Sequence, residues 1–190
     1  RLAEAGVDVT VYEASARTGG RMFTDRGSYP NGKVIELGGE LVDSNHAVMM
    51  ALCDEFGLTL DDLAAGDAGL RADTFHFDGQ VIAEATIVNE FTPLATRMAT
   101  AAALDTDPGE FTRLDNLSIP AWLGGDGMLP AGSLIRRILE RAYVGEYGLE
   151  VAEQSVWNLL WLIEFEKLDG FRIYGDCDEG YHINEGNKAV

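Results

Sequence analysis

Val-Asp-Val-Thr-Val-Tyr-Glu-Ala-Ser-Ala-Arg-Thr-Gly-Gly-Arg, from Val7 to Arg21, says more about architecture than any other part of this sequence. Three valines alternate with polar or aromatic residues up to Glu13, a pattern typical of a β-strand that stops at an acid. In a doubly wound nucleotide-binding fold, a carboxylate at the end of the second strand accepts hydrogen bonds from ribose hydroxyls. Further along, Gly19-Gly20 permits close approach of the backbone to a ligand, and the Arg21 guanidinium offers a planar fork of donors to phosphate. The stretch therefore predicts a strand, a ribose-binding acid and a phosphate-binding loop.

The same stretch resembles the flavin amine oxidase family, which includes monoamine oxidases and L-amino acid oxidases. The FAD signature of that family reads Glu-Ala-x-x-Arg-x-Gly-Gly-Arg. It is complete here as Glu13, Ala14, Arg17, Gly19, Gly20 and Arg21. The resemblance implies that Glu13, Ala14, Ser15, Gly19, Gly20 and Arg21 bind FAD, with Glu13 on the ribose and Gly20 and Arg21 on the pyrophosphate.

A second glycine pair follows a loop-rich segment, in the sequence Val34-Ile-Glu-Leu-Gly-Gly-Glu-Leu41. In the resembled family a similar Leu-Gly-Gly or Leu-Gly-Ala lies against the flavin, because glycines let the backbone approach the cofactor. The resemblance thus adds Gly38, Gly39, Glu40 and Leu41 to the predicted cofactor site. Amino acid oxidases often carry an arginine for the substrate carboxylate where Leu41 stands. Leu41 weakens the case for an amino acid bound in that way, and it leaves amines, or a carboxylate clamp elsewhere, open.

Composition and charge exclude several classes of protein. The chain has 190 residues, of which 46% are hydrophobic and 24% charged, and a formal net charge of -18. That charge would repel a phosphate backbone, so we expect no nucleic-acid partner, although its simplest role is to keep the protein soluble. No apolar run reaches the roughly 18 residues that a membrane span needs. No metal-ligand spacing, Walker loop or Gly-x-Ser-x-Gly elbow is present, so neither metal chemistry nor hydrolysis is expected.

The remaining periodicities predict a fold that is α/β, or α+β by content. Helices are predicted over residues 46–56, 87–102, 131–147 and, apolar nearly all round, 153–164, with Ser44 or Asn45 capping the first. Pro93 either kinks the second helix or starts another one capped by Thr92, and the kink is preferred. Asp78-Gly79 predicts a hairpin over residues 75–82, residues 105–112 are predicted as a loop, and residues 171–174 and 181–183 as two joined strands.

These elements are assigned to three regions. Residues 1–45 are predicted to form a partial FAD/NAD(P)-binding domain of the Rossmann-like type. Residues 46–165 form a mainly helical substrate or cap region with a hairpin near residues 74–83, and residues 166–190 a hairpin that returns toward the FAD domain. Arg1–Gly6 resembles the last turns of a helix closed by a glycine.

The resemblance implies the chemistry of the parent enzyme. It would use FAD to oxidise the carbon–nitrogen bond of a small-molecule amine or L-amino acid to the imine, with dioxygen as acceptor and hydrogen peroxide released. No protein nucleophile is required, and no catalytic residue is assigned within this chain.

The resemblance also implies that this chain is a fragment. The glycine-rich loop that positions the FAD pyrophosphate is expected before Arg1, and the active-site lysine, the aromatic substrate cage and the second FAD segment after Val190. The fragment alone is expected to be inactive and to assemble with itself or with the rest of its parent. Its compartment is left open.

Two alternatives stay open at this point. Protoporphyrinogen oxidases and carotenoid desaturases carry similar Glu and Gly-Gly-Arg signatures, although the segment from Gln154 to Asn187 favours the amine oxidase branch. The second alternative is a non-catalytic helical module that associates with itself, which the apolar segment Val156–Ile163 suggests.

Overall fold

The structure, a computed structural model, describes residues 1–70 and 73–190 and contains two compact units. The first unit consists of residues 1–68 and 178–190, and the second of residues 69–177. These units are defined by packing within the chain. The three regions assigned from the sequence, residues 1–45, 46–165 and 166–190, stay a prediction.

The described residues form seven short strands and six α-helices. The strands are β1 (Thr24–Asp25), β2 (Ile35–Glu36), β3 (Leu41–Val42), β4 (Leu60–Asp62), β5 (Phe75–Phe77), β6 (Gln80–Ile82) and β7 (Tyr181–Ile183). The helices are α1 (Ala47–Phe56), α2 (Glu84–Ala102), α3 (Pro108–Asp115), α4 (Ile119–Gly124), α5 (Leu134–Tyr147) and α6 (Val156–Leu160). Single 3-10 turns occupy Pro30–Gly32, Val151–Glu153 and Asn187–Ala189. The fold is therefore mixed in helix and strand content.

The first unit is organised by a three-stranded antiparallel sheet in the order β3-β7-β4. Its small core contains Val42, Cys53 and Ile183, each exposed by 1% or less. Helix α1 ends at Gly57, whose positive φ of 66° lets its amide reach the last carbonyls of the helix, as predicted. Its N-cap residue is His46, without a side-chain cap, so the predicted capping by Ser44 or Asn45 is wrong.

A clasp of short hydrogen bonds joins residues 43–44 to residues 178–180 at the end of this sheet. The Asp43 carboxylate accepts hydrogen bonds from the amides of Asp178 at 3.1 Å and Glu179 at 2.7 Å. In return, Asp178 accepts one from the Ser44 amide at 2.8 Å. Hydrogen bonds from Ser44 hold the pKa of the Asp178 carboxyl below its ordinary value.

The lowered pKa of Asp178 gives the clasp a defined pH dependence. Its contribution to the free energy of unfolding is fully present above the unfolded-state pKa of about 3.9 and is lost as pH falls through the lower folded-state pKa. In an NMR titration, we expect the Ser44 amide resonance to shift with a midpoint below about pH 3.9. Asp178→Asn keeps an acceptor oxygen without the charge, so this transition should vanish. A midpoint at or above the ordinary value would contradict the assignment.

The valine-rich run from Val7 to Tyr12 does not form the predicted strand. Its side chains are largely exposed, with Val11 at 78% and Tyr12 at 93%. Residues 8–12 pair with none of the strands in the described residues, all of which pair antiparallel. A β-strand exists only where a neighbouring strand takes its backbone hydrogen bonds, so the alternating pattern alone cannot make one. The parallel sheet of a Rossmann-like domain is likewise not formed by the described residues.

The turn that precedes this run agrees with the prediction of a helix end. The amide of Val7 donates to the Leu2 carbonyl at 3.0 Å, and the amide of Gly6 to that of Ala3 at 3.0 Å. With a φ of 77° at Gly6, these bonds make the C-terminal motif of an α-helix, although residues 1–6 are themselves assigned as turns.

The second unit is a helical assembly around a continuous apolar core. Its largest fully buried side chains include Trp122, Trp157, Tyr143 and Phe91. The predicted hairpin forms as β5 and β6, with Asp78 and Gly79 at φ of 54° and 78° and Phe75 opposite Ile82. Helix α2 runs unbroken through Pro93, and α5 ends at Gly148 as predicted. No described helix has the combined length and apolar character required to cross a bilayer.

Three predictions in the second half of the chain are wrong. Residues 108–115 form α3, which begins inside the loop predicted over residues 105–112, because the Asp107 carboxylate caps the amides of Gly109 and Glu110 and Pro108 suits the first helical position. The apolar helix predicted over residues 153–164 is limited to α6, with Trp161 62% exposed. Residues 171–174 form no strand, since a turn begins at residue 173, and β7 pairs with β3 and β4 instead of making a hairpin.

Candidate cofactor-binding groove

Two of the predicted cofactor segments meet at an open groove in the first unit, with a volume of about 670 Å³. Its lining consists of Arg17, Gly20, Arg21, Met22, Phe23, Leu37, Gly38 and Gly39. The sequence analysis assigned Gly20-Arg21 to a phosphate and Gly38-Gly39 to a flavin, from motifs far apart in the chain. The fold places both pairs on the same surface.

Backbone hydrogen bonds hold these two segments together. The Leu37 amide donates to the Phe23 carbonyl at 2.8 Å, and the Gly39 amide to the Arg21 carbonyl at 3.2 Å. A Cβ atom on Gly38 would overlap the Arg21 carbonyl oxygen, whereas one on Gly39 would lie 3.9 Å from its nearest neighbour, Met22 Cγ. Gly38 is therefore required for the approach of the two segments, and Gly39 leaves the groove open.

The Arg17 side chain organises the loop that carries Gly20 and Arg21. Its guanidinium donates hydrogen bonds to the carbonyls of Gly20 at 2.7 Å and Met22 at 3.0 Å, and it lies 4.9 Å from the centroid of the Phe23 ring. The loop also needs left-handed backbone, with φ of 101° at Gly19 and 54° at Gly20. The sequence analysis gave Arg17 no role, although its place in the signature was the signal that it has one.

Arg21 presents a different environment. Its side chain is exposed, and its guanidinium makes no hydrogen bond or ion pair with any residue that the structure describes. Arg17 thus fills its donors with carbonyls of its own loop, whereas Arg21 keeps its donors available at the groove. This difference supports Arg21 as the residue that meets an anion.

Glu13 stands before the loop as an exposed carboxylate. Its Oε1 accepts a hydrogen bond from the Ser15 amide at 2.7 Å, and this bond is the main cause that holds the pKa of Glu13 below its ordinary value. Glu13 is therefore ionised at neutral pH and retains lone pairs that can accept hydroxyl donors.

Six predicted residues do not line the groove itself. They are Glu13, Ala14, Ser15, Gly19, Glu40 and Leu41. Ala14 and Ser15 are exposed beside Glu13, Gly19 lies within the loop, and Leu41 begins β3 opposite His182. Glu40 and Leu41 continue directly from the lining residue Gly39, and their position along the backbone is fixed by the pairing of β3.

A residue distant in sequence, Asn187, also contacts the segment Gly38–Leu41, which the resemblance assigns to the flavin. The Asn187 side-chain amide donates to the carbonyls of Gly39 at 2.7 Å and Glu40 at 2.8 Å. No local pattern marked Asn187, because the contact joins residues that are nearly the whole chain apart. The described residues contain no cluster of His, Cys, Asp and Glu side chains that could hold a metal ion.

The groove combines open space at two glycines with an exposed guanidinium. Gly20 and Gly39 leave space above the backbone, and Arg21 supplies an unpartnered cation. An extended, anionic cofactor fits such a surface because glycines permit close contact and a guanidinium binds phosphate with two parallel hydrogen bonds. The groove is therefore chemically suited to an anionic ligand.

Comparison with known proteins identifies the family of the chain. Residues 1–172 match the family of flavin containing amine oxidoreductases. The chain belongs to this family, and the family implies a flavin cofactor. The prediction of the family from Glu13–Arg21 is confirmed.

The matches to individual relatives differ in how much of the chain they cover. A stretch of 66 residues, 35% of this chain, is 39% identical to 10% of the L-amino-acid oxidase of Mus musculus. A triple mutant of putrescine oxidase matches the fold with a TM-score of 0.69 at 22% identity, over 98% of this chain and 43% of that one. Wild-type putrescine oxidase bound to putrescine matches with a TM-score of 0.67 at 23% identity and the same coverage. The chain thus spans less than half of the length of these proteins.

Proposed function

We propose that this chain is part of an FAD-dependent oxidase that converts an amine or L-amino acid to the corresponding imine, with dioxygen as electron acceptor and hydrogen peroxide as product. The observation that carries the proposal is the meeting of Gly20-Arg21 and Gly38-Gly39 at one groove within a chain of the flavin amine oxidoreductase family. A partial Rossmann-like FAD domain in residues 1–45 belongs to the same proposal.

Each part of the site has a task in this proposal. Glu13 accepts hydrogen bonds from the ribose, and the Gly20 backbone and the Arg21 guanidinium bind the pyrophosphate. The segment from Gly38 to Leu41 lies along the flavin and excludes water from one side of it. When bound, the flavin supplies the chemistry by accepting a hydride equivalent from the carbon that bears the amine.

An amine is preferred over an amino acid as substrate because of Leu41. This position carries a carboxylate-binding arginine in many amino acid oxidases, and a leucine offers no hydrogen-bond donor to a carboxylate.

The proposal is tested on the complete protein encoded with this chain. We expect it to purify with yellow flavin absorbance and to release peroxide from at least one member of a panel of monoamines, diamines and L-amino acids. A colourless protein that releases no peroxide from the panel would overturn the proposal. Flavin absorbance with activity only on a porphyrinogen or a carotenoid would move the protein to the protoporphyrinogen oxidase or desaturase reaction.

Arg21 provides the matched test of the site. Arg21→Ala should weaken FAD binding by about 10- to 100-fold, since a charge-assisted hydrogen bond contributes about 1.5–3 kcal/mol. Arg26→Ala removes the same charge from an exposed position that does not line the groove, so its affinity should stay near that of the unchanged protein. Equal losses in the two variants would show that net charge, rather than a contact of Arg21, controls binding.

Assembly is the remaining part of the proposal. The exposed run Val7–Tyr12 has the alternation of a strand, and we propose that another strand covers it, in the rest of the parent protein or in a second copy of the chain.

A further inference from the structure

A buried carboxylate, Glu36, lies two residues before the segment Gly38–Leu41 in the sequence. Its side chain belongs to a residue that is 7% exposed, and its two oxygens lie 2.9 and 3.1 Å from the hydroxyl of Thr24 on the paired strand. The second donor is the backbone amide of Asn187, 2.8 Å from Oε1. Burying a carboxylate is costly unless hydrogen bonds satisfy it, so Glu36 binds the backbone of residue 187 firmly.

The neighbouring glycine shows how closely this backbone approaches. Gly186 has a φ of 83°, and a Cβ atom there would overlap the Thr24 methyl group and lie 2.9 Å from Glu36 Oε1. The amide of Lys188 adds a hydrogen bond of 3.0 Å to the Thr24 hydroxyl. Residues 186–188 are therefore seated on β1 and β2 by backbone contacts that only glycine at 186 permits.

The side-chain amide of Asn187 donates both of its hydrogens to one backbone segment. The residue is 3% exposed, and its Nδ2 bridges the carbonyls of Gly39 and Glu40, whereas its Oδ1 has no partner among the described residues. A primary amide has two donor hydrogens, and both go to successive carbonyls of one backbone segment. Such a bridge fixes the orientation of the peptide groups that follow Gly38.

We propose that Asn187 is a positioning residue that fixes the segment Gly38–Leu41 against the groove, with Glu36 and Thr24 holding Asn187 in place. That this segment lies along a flavin rests on the proposed function. The bridge itself is a property of the chain. The consequence is that the shape of the cofactor surface is set by a side chain 147 positions away from Glu40.

Asn187→Asp is the sharpest variant. It keeps the shape of the side chain but replaces two donors by a carboxylate oxygen that would face the two carbonyl oxygens of Gly39 and Glu40, so the bridge cannot form. Asn187→Ala removes the bridge without adding charge and serves if the charged variant fails to fold. Asn184→Asp is the control, because Asn184 lies on the same segment but is exposed and bonds Asp61 at 2.9 Å instead.

The first measurement is hydrogen–deuterium exchange on the 190-residue chain at a single pH. We expect the amides of Leu37 and Gly39 to exchange about tenfold faster in Asn187→Asp and Asn187→Ala, with little change in α1. The control should leave both amides as they are. Unchanged exchange in both Asn187 variants would overturn the proposal, and so would faster exchange throughout the first unit, because that result would indicate a general structural role.

The second measurement separates this inference from the proposed function. In the complete protein, Asn187→Asp should shift the visible absorption bands of bound flavin and weaken FAD binding by about tenfold, while Asn184→Asp should do neither. If the complete protein never binds flavin but residues 37 and 39 lose protection, the proposed function fails and the positioning role stands. If flavin binds with the same spectrum and affinity in all variants, the positioning role fails and the function stands.

Discussion

Replacing Gly38 by alanine will disrupt the groove and weaken FAD binding by about 5- to 100-fold. An added Cβ would overlap the carbonyl oxygen of Arg21, which cannot move away because it also accepts the Gly39 amide. Overpacking of this kind costs about 1–3 kcal/mol, and here the strain falls on the contact that joins the two cofactor segments. Flavin content of the purified complete protein, measured by absorbance, checks the expected loss.

Gly39→Ala is the control for this experiment. Its Cβ would meet only Met22 Cγ at 3.9 Å, an ordinary van der Waals distance, so the folded chain accommodates it and the variant controls for folding stability alone, because Gly39 itself lines the groove. Thermal unfolding should show Gly38→Ala to be the less stable of the two variants. Equal stability of the two variants would mean that the close approach at Gly38 is not required.

Replacing Trp157 by alanine will destabilise the second unit by about 3–5 kcal/mol, the range for a large buried aromatic side chain. Trp157 is 2% exposed, stacks on Phe111 with 5.1 Å between ring centroids, and donates from Nε1 to the Phe111 carbonyl at 3.1 Å. The substitution removes all of these contacts and leaves a cavity where α3 meets α6. Urea unfolding followed by tryptophan fluorescence measures the loss, because all three tryptophans of the chain lie in this unit.

Trp161→Ala is the matched control. Its ring lies in the same stack, 5.1 Å from that of Trp157, but the residue is 62% exposed. Its removal should cost about 1 kcal/mol or less, the amount that an aromatic pair contributes beyond buried area. A comparable loss in both variants would show that the stack, and not the burial of Trp157, stabilises the unit.

Local patterns predicted the elements whose ends and faces are set within the element itself. Gly57 and Gly148 end α1 and α5 because a left-handed residue is needed where a helix stops, and Asp78-Gly79 turns the hairpin because both residues take positive φ. The family followed from Glu13–Arg21, since an acid, an arginine and two glycines at fixed spacing are rarely found together by chance.

The errors concern structure that depends on distant partners. The run from Val7 to Tyr12 has the alternation of a strand but no neighbour among the described residues, and β7 finds its neighbours at residues 41–42 and 60–62. Asn187 is invisible to any local rule for the same reason. Helix α3 is a different case, since Asp107-Pro108 is a cap followed by a residue suited to the first helical position, and loop composition concealed that signal.

The central position of β7 in its sheet has a consequence for synthesis of the protein. Strands β3 and β4 can form their hydrogen bonds with β7 only after residues 181–183 have left the ribosome, because β7 lies between them. The second unit lies entirely within residues 69–177, so it can fold first. At about 5–20 residues per second, the two halves of the first unit emerge on the order of 5–20 s apart. During that interval the backbones of residues 41–42 and 60–62 lack their strand partner and are open to chaperones or to aggregation, and the arrival of residues 178–190 completes the unit.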